Sequence, residues 1–406
     1  MSTLSALATD FPILEREGLV YLDSAASAQK PREVLEAMTD MASHHYANIH
    51  RGVYPLAVEA TELYEGARER VAGWLGWDAK TTIFAKNVTE AINLVAYSWG
   101  RRNVRAGDAI VLTVAEHHSN IVPWQLLCAE VGATLRYLDV DDEGQVSLAQ
   151  LDELLADGRV RLVAVCHVSN VLGTINPVAE ICARARQAGA VSLVDGAQAV
   201  PQLPVDVGAL GADFYAWTGH KLYGPTGIGV LHGRRELLEA MPPFLSGGDM
   251  ISSVAAHSSR FAELPQKFEA GTSPIVQAVG LRAAVDFVDG VGVDAIREHE
   301  LDLTAYGLAR LSELPDVELH GPRDAQARGA LISFAVDGVH PHDVAEILAR
   351  EGVCVRASHH CAQPLMRRLG IPASVRASFA VHNTRADVDR MLDALGSVRE
   401  IFGTTA

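Results

Sequence analysis

The chain has 406 residues and a formal net charge of −16, from 34 Lys and Arg against 50 Asp and Glu. At about 100–200 residues per domain, this length predicts two domains. Hydrophobic residues make up 49% and charged residues 21%, which is the mix of a globular rather than a disordered protein. The acidic balance argues against nucleic acid or an anionic membrane as a partner.

The cysteines and the N-terminus bear on the cellular compartment. The five cysteines are scattered and form no Cys-x-x-Cys pair, which excludes a disulfide framework and indicates a reducing environment. The first twenty residues lack the basic start and apolar block of a signal peptide. No apolar run approaches the roughly 20 residues that a membrane helix needs. We therefore expect a cytoplasmic protein with no membrane partner.

The middle of the chain alternates two kinds of pattern. Short apolar runs predict buried strands over Ala109–Val114, Leu162–Val168, Val191–Asp195, Phe214–Trp217 and Gly229–His232. Helical spacing lies between them over Trp124–Val131, Leu148–Leu155 and Ile181–Ala188. Such alternation indicates an α/β fold with a mostly parallel sheet that helices cover on both faces. Ligands of these sheets bind beyond the carboxyl ends of the strands.

The C-terminal third predicts a smaller α+β domain. A helical pattern over Val276–Leu314, broken near Gly290, is followed by strand and helix patterns over Ala330–Val336, Val344–Arg350, Val353–Arg356, Val375–Val381 and Ala386–Phe402. We divide the chain into an N-terminal segment (residues 1–20), a large domain (21–280) and a small domain (281–406). Met241–Arg260 is rich in Pro, Gly, Ser and Met and predicts a mobile loop.

Polar clusters follow four of the predicted strands, where ligands of a parallel sheet bind. The clusters are Glu116–Asn120, Ser169–Asn170, Asp195–Gln198 and Thr218–Lys221. Lys221 has the chemistry to form a Schiff base with a carbonyl, although a solvated or paired lysine is the commoner case. Asp195 ends a buried strand, and a buried carboxylate requires a cation. A protonated pyridine nitrogen meets that need, so the pair, 26 residues apart, indicates pyridoxal phosphate.

Two further segments fit the same cofactor, each with an ordinary alternative. His117 is placed to stack on the pyridine ring, although taken alone it would be a capping or core histidine. Asn87–Glu90 opens the helical stretch Ala91–Ser98 and offers backbone N–H groups and a hydroxyl to a phosphate. The alternative for that segment is a plain N-cap with a Glu in the first turn.

These motifs match a known family. VDGAQAVPQLPVDV, ADFYAWTGHKLYGPTGIGVL, EHHSNIVPWQ, HVSNVLGTINP, LDSAASAQKP, FEAGT, HHCAQPL and NTRADVD together resemble the SUF-type cysteine desulfurases, in colinear order from Leu22 to Asp389. Those enzymes are fold-type-I pyridoxal phosphate transferases related to the class V aminotransferases. The resemblance implies a homodimer that moves sulfur from L-cysteine to an acceptor protein, for iron–sulfur cluster assembly, and leaves L-alanine.

The resemblance also implies a role for each matching residue. The cofactor-binding residues would be Thr89, Asp195, Gln198, Thr218, His220, Lys221 and, from the other protomer, Thr272. The substrate-binding residues would be Asn170 and Arg376 at the carboxylate, with His50, Arg51 and Arg356 at the mouth. The catalytic residues would be Lys221, His117 and Cys361. No metal site in the chain itself is implied.

Cys361 would be the nucleophile that carries the persulfide. A free thiol is only a few per cent thiolate at pH 7, and His359, His360 and Arg356 are placed to raise that fraction. A buried structural thiol is the alternative, which we expect for the other four cysteines. Arg376 lies inside an apolar strand and needs a carboxylate, either the substrate's or an internal Asp or Glu.

Three positions depart from the family pattern. Ser358 replaces a glycine before the two histidines, which puts the backbone conformation of that loop in doubt. Thr218 replaces a serine and keeps the hydroxyl, whereas Val88 replaces a threonine and removes one phosphate contact.

Two questions stay open at the level of sequence. The segment His340–Asp343 suggests a zinc-containing, scaffold-like sulfur acceptor that His342 would contact through the zinc; a solvated turn is the alternative. Selenocysteine lyase and cysteine sulfinate desulfinase are alternative activities for the same cofactor.

Overall fold

The computed structural model describes residues 3–403. Its strands are β1 (Val20–Tyr21), β2 (Thr82–Ala85), β3 (Ala109–Thr113), β4 (Thr134–Leu138), β5 (Val160–Cys166), β6 (Val191–Asp195), β7 (Phe214–Thr218), β8 (Gly229–Gly233), β9 (Ile251–Ala255), β10 (Ser258–Phe261), β11 (Val317–His320), β12 (Leu331–Val336), β13 (Val353–Cys354), β14 (Arg356–Ser358) and β15 (Ser374–Ser378).

The α-helices surround these strands. They are α1 (Arg32–Asp40), α2 (Pro55–Trp74), α3 (Val88–Leu94), α4 (Arg101–Asn103), α5 (Val122–Val131), α6 (Leu148–Leu155), α7 (Val178–Gln187), α8 (Val207–Leu210), α9 (Arg235–Ala240), α10 (Ile275–Val291), α11 (Val293–Ser312), α12 (Pro341–Arg350), α13 (Gln363–Leu369) and α14 (Arg385–Phe402). Shorter 3-10 and π segments cover Thr3–Asp10, Pro12–Glu15, Met41–His45, Ala79–Thr81, Val95–Gly100, His118–Asn120, Gly219–Lys221, Gln266–Phe268 and Ala325–Ala327.

The main sheet is mostly parallel. Its seven strands within residues 3–403 lie in the order β2-β8-β7-β6-β5-β3-β4, and only β8 runs against its neighbours. Side chains of β3 alternate between two apolar clusters: Val111 packs in one and Ile110 and Leu112 in the other. This two-sided burial explains the continuous apolar runs of the inner strands and confirms the predicted α/β class.

Some strands differ from the sequence-based predictions. β2 and β4, at the two edges of the sheet, were not predicted: β2 has four residues, and β4 has a half-exposed pattern. The predicted loop over Met241–Arg260 is wrong in its second half, where β9 and β10 form an antiparallel hairpin. Nearly all residues of that hairpin are exposed, so no buried face marks it with alternating apolar residues.

The C-terminal part has its own sheet and its own apolar cluster. Four antiparallel strands lie in the order β11-β12-β15-β14, and α11, α12 and α14 pack with them. The predicted boundary at 280 falls within α10, which packs against α1 and α2; the chain changes helix at Gly292, where φ is 89°. The division into two domains stays a prediction.

The N-terminal segment reaches across the molecule. β1 pairs in parallel with β13, and Asp23 forms a bridge to Ser378 at the end of β15. Residues 1 and 2 of the predicted N-terminal segment lie outside the described residues. Among the described residues, no helix combines the length and apolarity needed to cross a membrane.

Candidate active site

A cleft with about 180 Å³ of free space opens where the parallel strands of the main sheet end. Ten of the predicted site residues line it: Thr89, His117, Asn170, Asp195, Gln198, His220, Lys221, Arg356, Cys361 and Arg376. The sheet explains the convergence, because β5, β6 and β7 run in the same direction and end at the same edge.

Four predicted site residues do not line the cleft. Arg51 pairs with Asp249, with 2.8 Å between Nε and Oδ1. Thr218, at the end of β7, is buried, and its Oγ1 has no partner in the part of the chain that is described. His50 instead pairs with Glu65, with 2.8 Å between Nε2 and Oε1. Thr272 is exposed and lies outside this chain's own cleft. Its predicted role is in the site of a partner subunit.

Lys221 ends the 3-10 turn that follows β7. Burial lowers the pKa of its amine from 10.5 to about 8; Asp195 opposes this shift, and Arg376 and Arg356 add to it. A larger fraction of the amine is therefore neutral near pH 7 than for an exposed lysine. A neutral amine is the form that attacks a carbonyl, so Lys221 is suited to bind a cofactor aldehyde covalently.

Asp195 is a buried carboxylate without a protein cation. It is 5% exposed, and its Oδ1 accepts the Ala197 backbone N–H at 2.9 Å. Burial raises the pKa of this carboxyl. Within residues 3–403, no Lys or Arg lies at ion-pair distance from Asp195. The Oε1 atom of Gln198 is also buried without a partner. A protonated pyridine nitrogen beside Asp195 and a phenolic oxygen beside Gln198 fit these positions, so the residues present fit pyridoxal phosphate.

The turn that carries His117 is held by a buried carboxyl group. Glu116 is fully buried and accepts hydrogen bonds from Thr113 Oγ1 at 2.6 Å, Asn120 Nδ2 at 2.7 Å and the Cys166 backbone N–H at 3.0 Å. Burial lowers the pKa of His117 to about 3, and the charge of Lys221 adds to this effect. The His117 ring is therefore neutral at pH 7, as stacking on a cationic pyridine ring requires.

The segment predicted to bind the cofactor phosphate lies at the start of α3. The Asn87 side chain accepts the Glu90 backbone N–H at 3.0 Å, so Asn87 is an N-cap, which was the alternative for this segment. Thr89 Oγ1 lies 2.7 Å from Ser119 Oγ, which links this helix to the turn of His117. Thr89 keeps its hydroxyl in the wall of the cleft.

Arg376 has the internal carboxylate partner that was one of its two alternatives. Its Nη2 donates to Asp23 Oδ1 at 3.1 Å, and its Nη1 donates to the Asn170 carbonyl oxygen at 2.7 Å. Its Nε is buried with no partner among the residues described. Arg376 is 2% exposed, so this remaining donor is suited to a carboxylate that enters the cleft. Asp23 was overlooked, although it lies in the LDSAAS motif.

Cys361 is half-buried in a strained turn between β14 and α13. The φ angles of His360 and Cys361 are 49° and 57°, in the left-handed region that L-residues disfavour. The Asn170 Nδ2 donates to the His360 carbonyl oxygen at 2.7 Å. In this structure the Asn170 amide therefore contacts the loop of Cys361, whereas its predicted partner is the substrate carboxylate.

Two positions of this turn, Ser358 and His360, bear on questions that the sequence raised. Ser358 ends the extended strand β14, so the left-handed residues lie after it; its Oγ accepts the His360 backbone N–H at 3.1 Å. His360 does not supply positive charge to the thiol, because burial lowers its pKa to about 3. Its Nε2 lies 3.1 Å from the carbonyl oxygen of Ser374 instead.

The other cysteines agree with a structural role. Cys128, Cys166 and Cys182 are buried, and burial raises the pKa of each thiol. Cys354 is half-buried, and burial raises its pKa as well. Of these four, only Cys166 lines the cleft that holds Lys221, at the end of β5.

Comparison with known proteins gives the class V aminotransferase family and, within it, cysteine desulfurases. A family model described as Aminotransferase class-V matches residues 20–391. A probable cysteine desulfurase of Streptomyces coelicolor is 50% identical over 408 residues, which cover 98% of this chain and 97% of that protein. An apo cysteine desulfurase from Thermococcus onnurineus superposes with a TM-score of 0.93 at 38% identity, covering 98% of this chain and 100% of that chain. The cysteine desulfurase CsdA from Escherichia coli superposes with a TM-score of 0.92 at 38% identity, covering 99% of each chain.

These similarities extend over nearly the whole chain. The predictions of a fold-type-I architecture, of pyridoxal phosphate and of cysteine desulfurase chemistry are confirmed. The chain belongs to the class V aminotransferase family and is a pyridoxal-phosphate-dependent cysteine desulfurase.

Proposed function

We propose that Cys361 takes sulfur from L-cysteine as a persulfide and passes it to an acceptor protein, with L-alanine as the other product. The observation that carries this proposal is that Cys361 and Lys221, from two different sheets of the fold, line one cleft. Cys361 is half-buried, as a thiol that meets both a bound substrate and an outside acceptor must be.

Each site residue has a role that follows from its position in the site. When bound, pyridoxal phosphate supplies an electron sink at the carbon that bears the substrate amine. Asp195 would face the pyridine nitrogen, Gln198 the phenolic oxygen, and His117 the face of the ring. Thr89, Thr218 and His220 would hold the phosphate, together with Thr272 of the partner subunit. Arg376 and Asn170 hold the substrate carboxylate, near Arg356 and His50 at the mouth.

Two groups of this chain then act on the substrate. The Lys221 amine accepts the proton from the substrate Cα. The Cys361 thiolate attacks the substrate sulfur, so a sulfur–sulfur bond forms as the Cβ–S bond breaks. The electron pair of the broken bond stays with the carbon skeleton, which takes up protons and leaves as L-alanine. The exchange needs no external oxidant or reductant.

The finer assignment is a SUF-type enzyme that supplies iron–sulfur cluster assembly in the cytoplasm as a homodimer. Support for a dimer comes from exposed apolar side chains between residues 46 and 58: Tyr46, Val53, Tyr54, Leu56 and Val58. Support for an acceptor at His342 comes from its exposure on the first turn of α12, beside His340, which caps that helix. This exposure leaves His342 free to contact a zinc-containing acceptor.

The test compares two half-buried cysteines. In an assay that contains a small-molecule thiol to reduce the persulfide, Cys361→Ala should abolish persulfide formation and sulfide release from L-cysteine, while the visible absorbance of bound pyridoxal phosphate is retained. Cys354→Ala is the matched control and should behave as wild type, because Cys354 does not line the cleft. Sulfur transfer that persists in Cys361→Ala would show that another group is the nucleophile.

A further inference from the structure

The loop that carries Cys361 is hydrogen-bonded to a residue beyond the proposed machinery. We define the nucleophile loop as residues 358–363. His118, which follows His117 in the EHHSN motif, donates its backbone N–H to the Cys361 carbonyl oxygen at 2.7 Å. Its ring Nε2 accepts the Gln363 backbone N–H at 3.2 Å. One residue of the large domain therefore contacts both the peptide of Cys361 and the first residue of α13.

These contacts act where the backbone is strained. His360 and Cys361 both have left-handed φ angles, and such conformations persist only where surrounding contacts enforce them. Some of those contacts lie within the loop: the Cys361 N–H donates to His359 Nδ1 at 3.0 Å, and the Ala362 N–H donates to the His359 carbonyl oxygen at 3.0 Å. They shape the turn without fixing its distance from the main sheet.

The position of the loop over the cleft depends on contacts from the large domain. The Asn170 amide supplies one of them, at the His360 carbonyl oxygen. His118 supplies two, on either side of Ala362. The His118 ring lies 5.5 Å from the ring of His359, and burial together with this neighbour lowers the pKa of His118. A neutral ring keeps the Nε2 lone pair that the Gln363 N–H needs.

We propose that His118 is a positioning residue for the nucleophile: its ring nitrogen holds the N-terminus of α13, and with it Cys361, over the cleft that contains Lys221. This inference rests on the proposed role of Cys361. His118 itself does not line the cleft and takes no part in binding cofactor or substrate. Its loss should slow sulfur transfer to Cys361 and leave the earlier binding steps unchanged.

The experiment uses the holoenzyme and three variants. His118→Ala removes the ring acceptor and keeps the backbone N–H; His118→Gln places an amide oxygen close to the position of Nε2. His44→Ala is the matched control, because His44 is an exposed histidine paired with Asp40, outside the cleft. Persulfide on Cys361 is measured after a single turnover by alkylation and mass spectrometry, with the KM for L-cysteine and the cofactor absorbance alongside.

We expect His118→Ala to lower the rate of persulfide formation about fivefold to tenfold, the effect of one hydrogen bond on a rate. The KM and the absorbance should stay at the wild-type values, His118→Gln should recover most of the rate, and His44→Ala should match wild type. The inference is overturned if His118→Ala forms persulfide at the wild-type rate, or if His118→Gln is as slow as His118→Ala. Neither result touches the nucleophile itself, which Cys361→Ala tests separately.

Discussion

The cofactor end of the cleft and the nucleophile loop are built in different ways. Asp195 and Lys221 follow strands of the main sheet directly, so the register of β6 and β7 sets their separation. Cys361 lies in a left-handed turn between β14 and α13, and two hydrogen bonds with His118 and one from Asn170 hold that turn over the same cleft. The first region is positioned by many cooperative contacts, the second by few.

This difference indicates how substitutions in each region should affect the reaction. Backbone hydrogen bonds of an inner strand break only when the sheet itself opens. A loop held by two or three hydrogen bonds can shift at a cost of about 1 kcal/mol for each bond lost. Substitutions at the ends of the sheet strands should therefore abolish the reaction. Substitutions beside the nucleophile loop should slow sulfur transfer without abolishing it. The predictions below test that contrast.

The largest effect is expected at Lys221. Lys221→Ala should lower cysteine desulfurization at least about a thousandfold, because the variant loses both the amine that binds the cofactor covalently and the group that moves the Cα proton. Alanine formation from L-cysteine is the measurement. Lys80→Ala, at an exposed lysine, is the control and should retain wild-type activity. A Lys221→Ala rate within tenfold of wild type would contradict the role of the lysine.

A smaller effect is expected beside the loop, at Asp23. Asp23→Asn leaves the buried Arg376 cation without a carboxylate and should lower the free energy of unfolding by about 2 kcal/mol. Asp302→Asn is the control: it breaks an exposed ion pair with Arg385, which solvent screens, so the loss of stability should be clearly smaller than for Asp23→Asn. Denaturant titration of the holoenzymes measures both. Equal losses would show that the burial of Arg376 adds nothing to its pair with Asp23.

The smallest effect concerns pH at the cofactor end. Because burial lowers the pKa of Lys221 to about 8, its amine is mostly protonated at pH 7 and mostly neutral at pH 9. After removal of the cofactor, the rate at which Lys221 recombines with added pyridoxal phosphate should rise about tenfold over that interval and then level off. Stopped-flow absorbance follows the reaction. A rate that still climbs beyond pH 10 would mean that burial does not shift this lysine.

Sequence reasoning located the inner strands and the polar clusters that follow them. β3, β6, β7 and β8 lie within one residue of their predicted bounds, because strands buried on both faces are continuous apolar runs. The strands that were not predicted lack a long apolar run: β1, β2 and β11 have four residues or fewer, β4 is half-exposed, and the hairpin of β9 and β10 is exposed.

Pairings between distant segments could not be read in the same way. Nothing local to Arg376 indicates that its partner is Asp23, more than 350 residues earlier. The contacts of His118 and Asn170 with the nucleophile loop join the two parts of the fold and leave no periodic pattern in either segment. The departure from the family pattern at Ser358 lies next to the strained turn. The strained residues are His360 and Cys361, because hydrogen bonds from outside the turn decide its conformation.

The pairing of β1 with β13 has a consequence for how the chain is made. Val20 leaves the ribosome about 330 residues before Val353, its partner across the two strands. The pairing of these two strands therefore forms only when the first and last parts of the chain are both available. The same holds for the ion pair between Asp23 and Arg376, and contacts between such distant residues form slowly. The part of the cleft that Arg376 lines is thus among the last parts of the newly synthesised chain to assemble.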